Sequence, residues 1–174
     1  MIGRALAMAA LLLAAAPAPA AVVSNDAGAF TTSHAADLPV APATVWAALV
    51  RWQAWWPPAH SYSGSAPTLD VRPGGALSES WAGGHVLHAT VLAALPPRLL
   101  RLQGGFGPLQ GLPVTAVLEF TLAPGAAPGS TRLVMTYRVA GPASAGLPAM
   151  APAIDSVMGE GFGRLVRLAT PATP

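Results

Sequence analysis

Glu79 and His88 are the two side chains best placed in the sequence to move a proton. Glu79 shares strand parity with Leu77 and Trp81. If those two face an apolar interior, Glu79 does too, and desolvation would raise its pKa. If they lie on the outer face, Glu79 is simply solvated. His88 lies on the next extended segment and could approach Glu79 across neighbouring strands. A Glu–His pair suits general acid–base chemistry, and equally suits orienting a polar group of a ligand.

Other chemistry is poorly represented. His34, His60 and His85 complete the histidines. His85 and His88 are three apart, so on a strand they point to opposite faces; the chain has no cysteine, and no metal site is expected. The sequence contains no P-loop, HExxH, GxSxG or dinucleotide fingerprint, so no cofactor is expected. Gly104 to Pro113 reads as a hairpin loop, either a pocket lid or a plain surface loop. Tyr137 shares a face with Leu133 and Met135, as a core tyrosine or a pocket residue. Trp55 and Trp56 precede Pro57-Pro58, and at least one is expected to be partly exposed.

Several elements must position these residues. Phe30 to Val40 has weak strand character. Ala41-Pro42 opens a helix in which Val45, Trp46, Leu49 and Val50 recur at helical spacing, and Arg51 to Trp56 reads as a second short helix. Six strands follow, at Leu69–Arg72, Leu77–Trp81, His85–Leu95, Leu99–Gln103, Val114–Leu122 and Thr131–Ala140, separated by Gly, Pro or Ser clusters. Leu118, Phe120 and Leu122 share one face, as do Leu133, Met135, Tyr137 and Val139, the pattern of a half-buried antiparallel sheet. A helix over Leu147–Ala169 closes the chain, with Ile154, Val157, Met158, Gly161, Leu165 and Leu168 on one side. Such an order predicts an α+β fold whose curved antiparallel sheet wraps the last helix.

The chain has 174 residues. Arg4, the apolar run Ala5 to Ala16 and the small residues of Ala18-Pro19-Ala20 read as a signal peptide over 1–20. That run is shorter than the roughly 20 residues of a membrane span, so no span is expected after cleavage. The domain assignment is then a mobile lead-in at 21–29, one domain at 30–169 and a disordered tail at 170–174, in a periplasmic or secreted protein. Nine basic residues, all Arg, against seven acidic ones give no nucleic-acid footprint. The abundance of Ala, Pro, Gly and Arg points to GC-rich codons and a bacterial source.

Several motifs, in order, resemble the SRPBCC superfamily, the START or helix-grip fold, in its polyketide cyclase and chaperone-ATPase-activator branch. They are Ala41-Pro42-Ala43-Thr44-Val45-Trp46, the cluster Trp52, Trp55 and Trp56, Pro73-Gly74-Gly75-Ala76-Leu77-Ser78-Glu79, Leu95-Pro96-Pro97-Arg98-Leu99-Leu100, and Ser130-Thr131-Arg132-Leu133. The resemblance spans about Phe30 to Leu168 and implies a deep apolar cavity between sheet and last helix. The residues expected to line it are Trp55, Trp56, Leu77, Glu79, Trp81, His88, Phe120, Met135, Tyr137, Met158 and Leu165. The function expected is binding of a hydrophobic or amphipathic small molecule. The alternatives are a cyclase- or dehydratase-like enzyme using Glu79 and His88, and a protein-interaction module resembling the chaperone activators.

Overall fold

The computed structural model describes residues 21–170. The signal-peptide assignment and the last four residues of the expected tail lie outside that range. Eight strands form one antiparallel sheet: β1 (Ala21–Asp26), β2 (Ala29–Leu38), β3 (Thr68–Leu69), β4 (Ala76–Trp81), β5 (Gly84–Leu95), β6 (Leu99–Gln103), β7 (Thr115–Pro124) and β8 (Thr131–Ala140). Their order across the sheet is β1-β2-β8-β7-β6-β5-β4-β3. Two short helices, α1 (Pro42–Leu49) and α2 (Trp52–Trp55), lie between β2 and β3, and α3 (Leu147–Ala169) ends the chain. The curved sheet and long C-terminal helix are the α+β helix-grip architecture.

The alternation read from the sequence sets the concave face. Phe30, Leu38, Leu118, Phe120, Leu133, Met135, Tyr137 and Val139 all point into the core. Outward-facing Glu119 meets its cross-strand neighbour Arg101, which donates from Nε at 2.6 Å. The expected lead-in is instead β1, which pairs antiparallel with β2 from Ala21↔Ser33 to Asp26↔Ala29. Val22, Asn25 and Asp26 carry no strong periodicity; the edge of β2 supplies the template. The strand expected at Leu69–Arg72 shrinks to Thr68–Leu69, because the chain must turn sharply at Gly74 (φ +77°) and Gly75. A Cβ at Gly75 would sit 2.1 Å from the Asp70 carbonyl oxygen, so only glycine permits that approach.

α3 occupies the predicted span and rests on β1, β2, α1 and α2. Pro152 lies inside it and cannot donate to the Pro148 carbonyl. Asn25 of β1 donates its side-chain N–H to that oxygen instead, at 3.3 Å. The buried stripe is Ala151, Ile154, Met158, Gly161, Phe162, Leu165 and Ala169, while Val157 and Leu168 are half-buried. At Gly161 a Cβ would lie 3.3 Å from the Trp56 ring, so the helix rides directly on that tryptophan.

Leu165 is fully buried and does not line the cavity described below. Leu165→Ala should lower unfolding free energy by about 2–5 kcal/mol in urea titration; a loss under about 1 kcal/mol would show that α3 is not pressed onto the core.

Candidate functional site

Glu79 points inward from β4 and its side chain is closed off from water. Both carboxylate oxygens are taken. Oε1 accepts from the Tyr62 N–H (3.2 Å) and from His88 Nε2 (2.6 Å). Oε2 accepts from the Ser63 N–H (2.7 Å) and the Ser63 hydroxyl (2.6 Å). A carboxylate has about four lone-pair sites, so none is left over. Burial pushes the Glu79 pKa up, but the Ser63 hydroxyl and N–H, His88 and the Tyr62 N–H together outweigh it, and the group lies below the ordinary glutamate value of 4.5. This reverses the raised pKa expected from the sequence.

A β-bulge brings His88 to this carboxylate. Leu77 pairs with Ala89 and Ser78 with Leu87, leaving His88 as the extra residue of β5. His88 and Ala89 are consequently buried in succession, at 4% and 2% exposure, where plain alternation would turn one of them out. With Nε2 donating to Glu79, Nδ1 carries the lone pair and faces the Gln110 side-chain N–H at 3.4 Å. That amide also donates to the Leu87 carbonyl oxygen at 3.2 Å.

Phe106 stacks on His88, with ring centres 6.0 Å apart and planes 13° from parallel. Gly104 allows this by passing so close to the His88 carbonyl that a Cβ there would clash at 2.0 Å. The turn is then fixed by Tyr137, whose hydroxyl donates to the Gly104 carbonyl (3.0 Å) and accepts from the Phe106 N–H (3.2 Å). Burial raises the Tyr137 pKa well above that of a free phenol, partly offset by the Phe106 N–H.

These pieces enclose a cavity of about 320 Å³. Its floor is His88, Phe106 and Trp56, and one wall is the α3 residues Ala153, Ile154, Val157 and Met158. The opposite wall is the segment Ala59 to Tyr62 with Pro67, and Gly107-Pro108 forms the rim. Two contacts tie the lining segments together: Tyr62 donates its hydroxyl to the Gly107 carbonyl at 3.3 Å, and His60 Nε2 meets Glu160 Oε2 of α3 at 2.8 Å.

Of the residues expected to line the cavity, Trp56, His88 and Met158 do so, and Glu79 lies directly behind His88. Trp55, Leu77, Phe120, Met135, Tyr137 and Leu165 do not; they are packed in the core. An aromatic plug explains the displacement. Trp52 packs on Trp55 (4.3 Å between centres), on Trp56 (5.5 Å) and on Phe120 (6.0 Å), filling the middle of the grip and leaving the cavity beside His88 and Phe106. Trp55 and Trp56 are both buried, at 1% and 3% exposure, and Trp55 donates its indole N–H to the Leu49 carbonyl, so neither is the exposed ring expected beside the prolines. Trp81 is 37% exposed and folds back over Gly83 and Gly84, away from the cavity. Sequence reasoning missed Tyr62, Phe106, His60 and Val157. An aromatic within Gly104-Gly105-Phe106-Gly107 was the available signal for Phe106.

A third histidine–carboxylate contact joins β2 to α3. His34 Nε2 is 3.0 Å from Asp155 Oδ1, with His34 buried. Desolvation lowers the His34 pKa against the opposing pull of Asp155. Among the described residues no three metal-ligating side chains converge.

The sheet-and-helix grip with an apolar cavity against the last helix defines the class. A family model described as polyketide cyclase / dehydrase and lipid transport matches residues 29–170, and the chain belongs to that family. No protein of curated function matches it. Protein Ms6760 from Mycobacterium smegmatis is 20% identical with a TM-score of 0.59, covering 90% of this chain and 100% of its own. Protein MLL2253 from Mesorhizobium loti is 21% identical with a TM-score of 0.57, covering 79% and 95%. CalU16 from Micromonospora echinospora is 18% identical with a TM-score of 0.52, covering 90% and 91%. At these identities the likeness is one of fold.

Because the folded Glu79 pKa is depressed, its contribution to stability is complete above the ordinary value of 4.5 and is lost as pH falls through the folded pKa. Carbon-detected NMR of the Glu79 carboxyl should give a midpoint below 4.5, and Glu79→Gln should flatten the acid limb of the stability curve. A midpoint above 4.5 would contradict the hydrogen-bond assignment.

Proposed function

We propose that the protein is an exported binding protein that holds a hydrophobic or amphipathic small molecule in the cavity between the sheet and α3. One observation carries this reading: the cavity is walled by aromatic and aliphatic side chains, while the nearby carboxylate is fully occupied in holding the wall together. Apolar walls with few polar groups characterise ligand sites, and the volume is at the lower end of their range. The membership in a family that includes lipid transport supports the same reading. Export rests on Arg4 and the apolar run that follows it.

A second reading, a cyclase- or dehydratase-like enzyme, draws on the Glu79–His88 contact. Glu79 fixes the tautomer and orientation of an imidazole that borders the cavity, with its Nδ1 turned to the Gln110 amide. In this reading Glu79 is a positioning residue and His88 the proton carrier.

Native mass spectrometry of protein recovered from its own host's periplasm tests both export and binding. A chain beginning near Ala21 with one co-purified compound is expected, and Val157→Trp, which fills the cavity, should release that compound. Two compounds differing by the elements of water would favour the enzyme. A chain that still begins at Met1 and carries nothing would overturn the proposal.

A further inference from the structure

One polar side chain of the cavity wall has no use within the fold, and its role rests on the binding reading above. The Ser61 hydroxyl is buried and has no hydrogen-bond partner among the described residues. Thr32 Oγ1 and Trp52 Nε1 are also unpaired, but neither residue lines the cavity, whereas Ser61 does. A buried hydroxyl without a partner costs stability, so this is the group in the wall that a ligand would complete.

The Ser61 backbone is fixed from both sides. Its own N–H donates to the Pro58 carbonyl at 3.1 Å, and the next two N–H groups, of Tyr62 and Ser63, are held by Glu79. The hydroxyl is therefore presented from a pinned stretch of chain. Ser63, two residues on, gives the contrast: its hydroxyl is taken by Glu79 Oε2 at 2.6 Å.

Two backbone donors of the lining are unpaired as well. The N–H groups of Ala59 and Gly107 have no acceptor among the described residues; Ala59 is exposed and Gly107 half-buried. The Tyr62 hydroxyl ties Gly107 to the segment that carries Ser61. Side-chain lone pairs are less available. His88 Nδ1 is turned to the Gln110 amide, and His60 Nδ1 and Tyr62 Oη belong to exposed residues that water reaches. An alcohol or amine entering here brings a donor hydrogen that needs such a lone pair. A carbonyl oxygen needs only a donor, which Ser61 and Gly107 both offer.

We propose that Ser61 is the residue that anchors and selects the ligand, its hydroxyl donating to an uncharged acceptor such as a ketone, ester or amide carbonyl. The Gly107 N–H is the second donor, and the apolar remainder of the ligand lies against Trp56, Phe106, Ile154 and Met158. Glu79 is then a positioning residue for the anchor, acting through the Tyr62 and Ser63 N–H groups.

The test uses three probes of one shape: 2-acetylnaphthalene, its hydrocarbon analogue 2-isopropenylnaphthalene, and the reduced alcohol 1-(2-naphthyl)ethanol. Their affinities are measured by isothermal titration calorimetry on the native protein and on Ser61→Ala, which removes a hydroxyl that bonds to nothing in the protein. The ketone should bind about threefold to tenfold more weakly to the variant, the worth of one neutral hydrogen bond. The hydrocarbon should bind the variant as well as the native protein or better, since it leaves the hydroxyl unpaired. By infrared difference spectroscopy, the carbonyl stretch of the bound ketone should lie lower in the native protein than in the variant. Equal ketone affinity and equal carbonyl frequency in the two proteins would overturn the anchor and leave the binding reading standing. A larger loss for the alcohol than for the ketone would show Ser61 accepting rather than donating, and would overturn the selection. Binding of none of the three to the native protein would overturn the binding reading itself, and the inference with it.

Discussion

Removing a carboxylate from water costs several kcal/mol unless its lone pairs find donors. At Glu79 all four do, and the donors come from two separate parts of the chain. Tyr62 and Ser63 belong to the loop that forms one wall of the cavity, and His88 forms part of its floor. The same anion therefore joins wall to floor. Removing it would leave three N–H groups and a hydroxyl without their acceptor beneath the surface, so the junction of wall and floor depends on this one charge.

The rest of the site follows from how the sheet is bent to deliver His88. The bulge on β5 turns His88 inward without sacrificing Ala89 or Val91, both buried. Gly104 then lets the chain after β6 pass against the His88 carbonyl and lay Phe106 on the imidazole. Tyr137 holds that turn from the middle of β8. Meanwhile the tryptophans of α2 and its flanks fill the centre of the grip, and Gly161 lets α3 close over Trp56. The fold's interior volume is thus divided into a packed aromatic half and a small open half.

Most of the fold was legible because it is written in alternation and period. The inward faces of β7 and β8, the parity of Leu77 with Glu79, and the span Leu147–Ala169 all follow from residue spacing. Four features were not legible, each for a physical reason. β1 has little pattern of its own and forms by pairing with β2. The bulge at His88 is a one-residue change of register, which composition does not mark. The direction of the Glu79 shift depends on donors sixteen and seventeen residues earlier in the chain, in a Ser-rich loop that reads only as a surface connection. The displaced cavity has the same origin: helical spacing shows that Trp52, Trp55 and Trp56 cluster, but not that their rings use up the central space.

Backbone amide hydrogen exchange at Tyr62 and Ser63, compared between the native protein and Glu79→Gln at neutral pH, tests the central claim most directly. An amide side chain offers an acceptor at one end only, so part of the donor set loses its partner. If Glu79 is the anion that ties wall to floor, both amides are protected in the native protein and at least one of them exchanges much faster in the variant, while amides of α3 between Met158 and Leu165 keep their protection. Fast exchange of Tyr62 and Ser63 in the native protein, or unchanged protection in the variant, would contradict this account.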